Sequence, residues 1–367
     1  MKGCLVAHRK PGGRRVELMI DDQAVSWAEL PYLRLRIGRA VLRCAGIGDV
    51  YTKRGHRKRG HSRRVLERCI DVMAEDGIDV SMLFGIPDYY HKFGYRTTLN
   101  DCRTELPGRA VVGGPMTLRA RRVPPKRHGD IVPLYRKDLA RRGFGIERTR
   151  ATWPGYRRGV QFRSAIQVVA FHRGTRAVGY VALDDDPREV RVGELAADGP
   201  EALASILTWL GRQCRRRVSE NIVMYLPPHH PASRAAVELG ATFTRRTHAT
   251  GGGMMRIINL GSTLAAFTGE LTARWAASPL AETGLDLTLR TDIGYADLVI
   301  PAKRRPASAT RGTVRMGEDR LIQLVTGYLP VGQLAAKPEV RIPRALVPGM
   351  AALFPERCPT VLPTNCF

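Results

Sequence analysis

The stretch Ala45–Tyr95 constrains the fold more than any other part of this 367-residue chain. Ala45-Gly46-Ile47-Gly48-Asp49-Val50-Tyr51-Thr52 is apolar, punctuated by glycine, and reads as a strand. It runs into a basic turn, Lys53-Arg54-Gly55-His56-Arg57-Lys58-Arg59-Gly60-His61-Ser62. Val65, Leu66, Cys69, Ile70 and Met73 then recur at helical spacing, and Gly77 stands where a left-handed cap ends such a helix. Val80-Ser81-Met82-Leu83-Phe84 reads as a second buried strand, and Tyr89-Tyr90-His91-Lys92-Phe93-Gly94-Tyr95 closes the unit.

A strand feeding a basic, glycine-bearing turn at a helix start is, physically, a cradle for phosphate. The first backbone N–H groups of a helix lack intrahelical partners, and the helix dipole adds positive potential there. Gly60 lets the backbone approach a ligand, and Arg57, Lys58 and Arg59 surround the site with positive charge. Ser62 is placed to cap the helix or to donate to a phosphate oxygen. An isolated basic run is more often a solvated helix start; the flanking strands favour the cradle.

Arg57-x-x-Gly60-x-Ser62 resembles the R-x-x-G-x-G/A pyrophosphate loop of the GNAT superfamily of acetyl-CoA-dependent acyltransferases, with Ser62 replacing the usual Gly or Ala. Val50-Tyr51-Thr52 upstream and Phe93-Gly94-Tyr95 downstream strengthen the likeness. The resemblance implies backbone contacts to acetyl-CoA from Val50, Tyr51 and Thr52. It implies pyrophosphate contacts from Lys58, Arg59, Gly60, His61, Ser62 and Arg63, with Arg57 opening the motif, and further coenzyme contacts near Tyr90 and His91. Tyr95 matches the general acid that protonates the departing thiolate.

Charge supports a polyanionic ligand. The net charge is +25, and residues 1–250 carry 46 Lys and Arg against 25 Asp and Glu, whereas residues 251–367 carry 13 against 9. Coenzyme A would be steered to such a surface, and so would nucleic acid. No aromatic-interleaved basic stripe or reading helix is recognisable, which weighs against nucleic acid. No run of 18 uncharged apolar residues and no signal-like apolar region occur, so no membrane partner is expected. Seven cysteines without a C-x-x-C argue against a disulfide framework or a zinc site, and no metal is expected. The reading is a cytoplasmic protein with free thiols.

The rest of the chain extends the resemblance. Residues 1–44 hold only strand-like material, with Val16, Leu18 and Ile20 on one face; the helices that usually open the GNAT fold are not recognised there, which leaves either a start placed late or an enzyme with an open acceptor side. Beyond Gly113-Gly114-Pro115, Asp130 is placed to cap a helix through Leu134 and Leu139. Strands at 166–171, 177–183 and 190–197 precede a helix from Glu201 to Arg212, a strand from Ile222 to Leu226 and a helix from Pro231 to Leu239. That order repeats the first unit, but Asp198 and Glu201 stand where the phosphate loop should be and would repel a pyrophosphate. His229-His230, without a third ligand, reads as a polar strand end. From Met254 the texture changes: Leu285, Leu287 and Leu289 alternate with polar residues, and a helix spans 319–327. This part looks like a sterol-carrier-protein-like domain, which leaves a lipid-carrier role open.

Two GNAT units followed by such a domain resemble the Eis-type (enhanced intracellular survival) acetyltransferases. The expected fold is α/β (α+β): tandem GNAT-like folds over 1–112 and 113–252, the second without a coenzyme loop, then a sterol-carrier-protein-like α/β domain over 253–367. The implied activity is transfer of acetyl from acetyl-CoA to a primary amine of a small molecule, an amino-sugar antibiotic or a peptide, by direct attack in a ternary complex. A homo-oligomer is expected. In Eis-type enzymes the terminal carboxylate returns to the first unit as base, and here Val361-Leu362-Pro363-Thr364-Asn365-Cys366-Phe367 is apolar and proline-stiffened. Phe367 is the candidate for that role.

Overall fold

Residues 4–52 form an antiparallel meander of four strands: β1 (Cys4–Lys10), β2 (Gly13–Ile20), β3 (Gln23–Ile37) and β4 (Ala40–Thr52). The computed structural model describes residues 3–151, 153–161, 164–302 and 309–367. Alternation gives the sheet its inner face, where Val16, Leu18, Ala28 and Leu30 are buried. Asp21 and Asp22 both take positive φ in the two-residue turn between β2 and β3, a geometry that suits the strand twist.

Helix α1 (His61–Glu75) carries the chain from β4 to the parallel strand β5 (Val80–Gly85). Its buried residues are Val65, Leu66, Cys69, Val72 and Met73, so Val72 takes the core position that the sequence pattern gives to Ile70. Gly77 adopts φ +68, as a left-handed helix end requires.

The strand beside β5 is not local. Gly252–Ile257 pairs antiparallel with β5, from Gly252↔Gly85 to Ile257↔Val80, and its other edge meets β6 (Arg96–Thr97). Met254 and Met255 are buried in this sheet. Two compact units result. The first comprises residues 1–99, 248–359 and Phe367; the second comprises 100–247 and 360–366. The sequence boundaries at 112 and 252 therefore do not coincide with the edges of the units. A change of texture at Met254 marks a new run of chain, whereas its strand pairing is settled by partners far back in the chain, at residues 80–85 and 96–97.

The first unit also contains the helix Leu260–Ala276, whose first turn is capped by Asn259 Oδ1 accepting from Ser262 N at 3.1 Å. A three-stranded sheet follows, with Gly284–Thr291 between Gly294–Ile300 and Ala309–Arg315.

The second unit repeats the crossover. Its sheet runs in the order Thr242–Arg246, Asp101–Pro107, Asn221–Met224, Val190–Ala197, Arg176–Asp184, Ile166–Arg173 and Arg119–Arg122. Val190–Ala197 feeds the helix Pro200–Arg217, which leads to the parallel strand Asn221–Met224. Asp130 does not cap the next helix as expected. It lies in a 3-10 turn, paired with Arg127 and Arg150, and the helix Val132–Arg142 starts without a side-chain cap. His230 does cap: its Nδ1 accepts from Ala232 N at 3.1 Å, and its Nε2 lies 3.0 Å from Asp138. The histidine pair thus ends in a buried helix cap, because Pro231 opens the helix and leaves the next N–H for His230.

Candidate active site

The site of the first unit begins with a fault in β4. Trp27 pairs with Tyr51 but Glu29 pairs with Gly48, so β4 holds one extra residue here, and Asp49 takes φ +46. Such a bulge bends the strand and leaves a residue out of the ladder. On the opposite edge the pairing with β5 stops at Ile47↔Leu83. Beyond it, Gly48–Thr52 has no strand neighbour on that side among the described residues, and backbone N–H groups there are open to a ligand.

Side chains fix this edge from behind. Ser26 Oγ lies 2.8 Å from Thr52 Oγ1 and donates to Tyr51 O at 3.1 Å. The Tyr51 ring stacks on Trp27 at 4.8 Å. Arg57 Nε donates to Thr52 O at 3.1 Å, and its guanidinium sits 5.8 Å from the Tyr51 ring. The first residue of the basic motif is therefore tied to the strand end.

The loop enters α1 through Lys58 at φ +61 and Gly60 at φ +75. Gly60 is the N-cap, no side chain caps the helix, and its first turn holds no acid. Space above Gly60 is open, so its φ is what requires glycine. Ser62 is not the cap; its Oγ lies 2.7 Å from the Tyr89 hydroxyl and links the helix start to the loop that follows β5. His61 is half-buried with neither ring nitrogen bonded to protein, and burial, with His56, Arg64 and Arg59 nearby, lowers its pKa. Lys58, Arg59 and Arg63 are exposed.

Beyond β5, Tyr89 and Tyr90 meet edge to face at 5.0 Å, and the Tyr90 ring lies where a Gly85 side chain would be. His91 is exposed. Tyr95 is 1% exposed, and its hydroxyl donates to Ser81 Oγ at 2.6 Å, while Ser81 donates to Ala45 O at 3.0 Å. Burial raises the Tyr95 pKa, against opposing effects of the Ser81 hydrogen bond and the Arg256 charge, so the phenol stays protonated.

Phe367 covers the same strand. An ideal Cβ on Gly46 would fall 2.3 Å from Phe367 Cε2, and one on Gly48 would fall 3.3 Å from the Phe367 carboxyl carbon. The Phe367 ring meets Phe84 edge-on at 5.9 Å. The two glycines of β4 are thus the seat of this ring, a purpose the sequence reading did not give them. Ser81 and Ser26 were also missed, since a serine inside an apolar strand carries no signal of its partner. Gly46-x-Gly48 did carry one: glycine inside a strand marks a bulge or a close approach.

A family described as "Acetyltransferase (GNAT) domain" matches residues 7–98. The chain is an acyltransferase. Its GNAT domain covers the bulged strand, the basic loop, α1 and the Tyr95 segment, and implies acetyl-CoA as co-substrate. Solved structures extend the likeness in fold across the chain. A GCN5-related N-acetyltransferase from Anabaena variabilis aligns with a TM-score of 0.73 at 16% identity, over 95% of this chain and 89% of that one. A probable N-acyltransferase from Enterococcus faecalis gives 0.73 at 14% identity, over 97% and 90%. Eis1 from Mycobacterium abscessus gives 0.65 at 14% identity, over 97% and 90%. No curated protein matches the sequence. Among the described residues no helix is long and apolar enough to cross a membrane, and no cluster of three metal-ligating side chains is found.

The candidate site has a chemistry that suits acetyl-CoA. An uncapped helix start without acids, entered through a left-handed glycine and ringed by cations, suits a pyrophosphate.

Proposed function

We propose that this acyltransferase moves acetyl from acetyl-CoA to a primary amine of a small molecule, an amino-sugar antibiotic or a peptide. The carrying observation is the side-chain-free start of α1 directly after a bulged, half-unpaired β4. In this reading Lys58, Arg59, Gly60, His61, Ser62 and Arg63 hold the pyrophosphate. Arg57 braces the loop on Thr52, Tyr51 and Thr52 line the pantetheine path, and Tyr90 and His91 flank it.

The reaction needs an oxyanion donor, a base and an acid. The amine lone pair attacks the thioester carbon, a C–N bond forms, and the Val50 N–H stabilises the developing oxyanion. The C–S bond then breaks and the thiolate takes a proton from Tyr95. Arg256 and Ser81, which both favour the Tyr95 phenolate, offset part of the cost of ionising it in a buried position. The proton lost by the amine goes to the carboxyl group of Phe367, directly or through water. An ordinary α-carboxyl near pKa 3.5 is a weak base toward an ammonium, and this role requires a surrounding that desolvates it or a bridging water that carries the proton.

The same proposal assigns residues 253–367 to a sterol-carrier-protein-like scaffold and the protein to the cytoplasm as a homo-oligomer. Thiol release from acetyl-CoA across a panel of amines tests the reaction. The expected result is amine-dependent release with one coenzyme bound per chain by calorimetry. Steep, salt-sensitive binding of duplex DNA without coenzyme affinity, or a co-purifying lipid without thiol release, would overturn it.

A further inference from the structure

The turn that delivers Tyr95 is closed by a strand from far along the chain. Strand Gly252–Ile257 places Arg256 in register with Ser81 of β5, the residue that accepts from the Tyr95 hydroxyl at 2.6 Å. Partners across a ladder point to one face of the sheet, so Arg256 and Ser81 rise on the same side. From there Arg256 reaches the Tyr95 turn itself: its Nη1 donates to Phe93 O at 2.6 Å. Its Nε lies 3.2 Å from Glu318 Oε1.

Glu318 anchors this arm. It is 2% exposed, its Oε2 accepts from Ile257 N at 3.0 Å, and its own N–H donates to Asp292 Oδ1 at 2.7 Å. Gly94, at φ +77, passes directly over the pair. A Cβ there would fall 2.6 Å from Glu318 Oε1 and 3.2 Å from Arg256 Cζ, so glycine is what brings the backbone this close. One guanidinium fork thus meets a carbonyl and a carboxylate at once, which a lysine ammonium does not reproduce. On the far side of Tyr95, Thr97 O accepts from Gln323 Nε2 at 3.0 Å, and β6 pairs with Met254 and Met255. The chain is therefore held before and after Tyr95 by residues that its own segment does not contain.

We propose that Arg256 is a positioning residue for acyl transfer: it clasps the Phe93–Gly94 turn against Glu318 and so sets where the Tyr95 hydroxyl stands, with a fixed cation on the same face. This rests on the reading of Tyr95 as the acid for the departing thiolate. Arg256 acts through Tyr95 and not on the reacting atoms.

Two variants test this in the full chain, each made with Tyr95 and with Tyr95→Phe. Arg256→Met is combined with Glu318→Gln, so that no buried carboxylate is stranded. Arg256→Lys keeps a cation against Glu318 and gives the same readout in a chain that retains an ion pair. With Tyr95 present, kcat should fall by about 10-fold or more in the first variant and by about 3-fold in the second. The acetyl-CoA dissociation constant from calorimetry should stay within about 3-fold of wild type. With Tyr95→Phe, the same changes should alter kcat by less than about 2-fold, because no acid remains to be placed. Equal losses of kcat in both backgrounds, no loss with Tyr95 present, or a loss of coenzyme affinity as large as the loss of kcat overturn the positioning role while the acid reading stands. An undiminished kcat in Tyr95→Phe alone overturns the acid reading, and this inference with it.

Discussion

In the first unit, the strand that feeds the crossover helix ends in Val50-Tyr51-Thr52, and α1 starts on Gly60 with no acid in its first turn. In the second, Val190–Ala197 feeds a helix that starts on Gly199-Pro200-Glu201. Both feeding strands carry a bulge: around Asp49 in β4, and at Gly193, where Ala182 pairs with Glu194 but Leu183 with Val192. The chain thus builds the same bent strand twice and equips the helix start for an anion only once. At the second start Asp198 is held by Lys137 and Arg176, and Glu201 by Arg173 and Thr117. The positive end of that helix already faces fixed carboxylates, and cations that could meet a phosphate are engaged by them. The second bulge is put to another use, as the seat of Thr364 beside Glu194. A duplicated fold can therefore keep its backbone irregularity while its two helix starts differ in cap and in charge.

The contrast breaks most visibly in stability. Arg148→Met leaves Glu194 buried without its cation and is expected to destabilise the protein by about 3–5 kcal/mol. Urea unfolding measures this, and a loss below about 1 kcal/mol would show that the second unit tolerates an unpaired carboxylate.

Within the first unit, Tyr95→Phe is expected to lower kcat by about 100-fold or more while acetyl-CoA affinity holds, as removal of a general acid should. A fall in affinity with little change in kcat would assign Tyr95 to packing instead. Gly60→Asp makes the first helix start resemble the second, by adding an acid and straining φ +75. Coenzyme binding should weaken by about 100-fold, the combined effect of strain and of a charge at the dipole's positive end. Calorimetry showing an unchanged dissociation constant would sink the equation of helix start with coenzyme site.

A smaller effect concerns pH. Glu318 lies under Gly94, bonded by Ile257 N at 3.0 Å and paired with Arg256 at 3.2 Å, yet burial outweighs both and pushes its pKa up to about 8. The folded protein then holds a proton that the unfolded chain releases near the ordinary carboxylate value. Stability from this group is greatest at low pH and falls as pH rises toward about 8, with a slope of at most about 1.4 kcal/mol per pH unit. Glu318→Gln should flatten that slope in melts recorded between pH 5 and pH 8, and an unaltered slope would mean that Arg256 keeps Glu318 ionised.

Much of the first unit was legible because its signals are local. Strand alternation before Thr52, the period of α1 and the left-handed Gly77 depend on residues within a few positions of one another, and each element forms where the pattern puts it. The repeat in the second unit was legible for the same reason, with Val190–Ala197 coinciding with its expected limits. Capping was read less well: Asp130 and Ser62 have the composition of caps but spend their side chains on Arg127 and Tyr89. His230 has no such composition and caps.

By itself, the sequence determined the order of elements and the contrast between two helix starts, because propensity, period and charge act over short stretches of chain. Tertiary structure alone decided that Gly252–Ile257 completes the sheet of β5, that Ser81 receives the Tyr95 hydroxyl, and that Gly46 and Gly48 seat Phe367. Each of these joins residues far apart in the chain or on different strands. A hydrogen-bond partner or a packing vacancy is a property of two surfaces brought together, and neither surface records the other in its own residues.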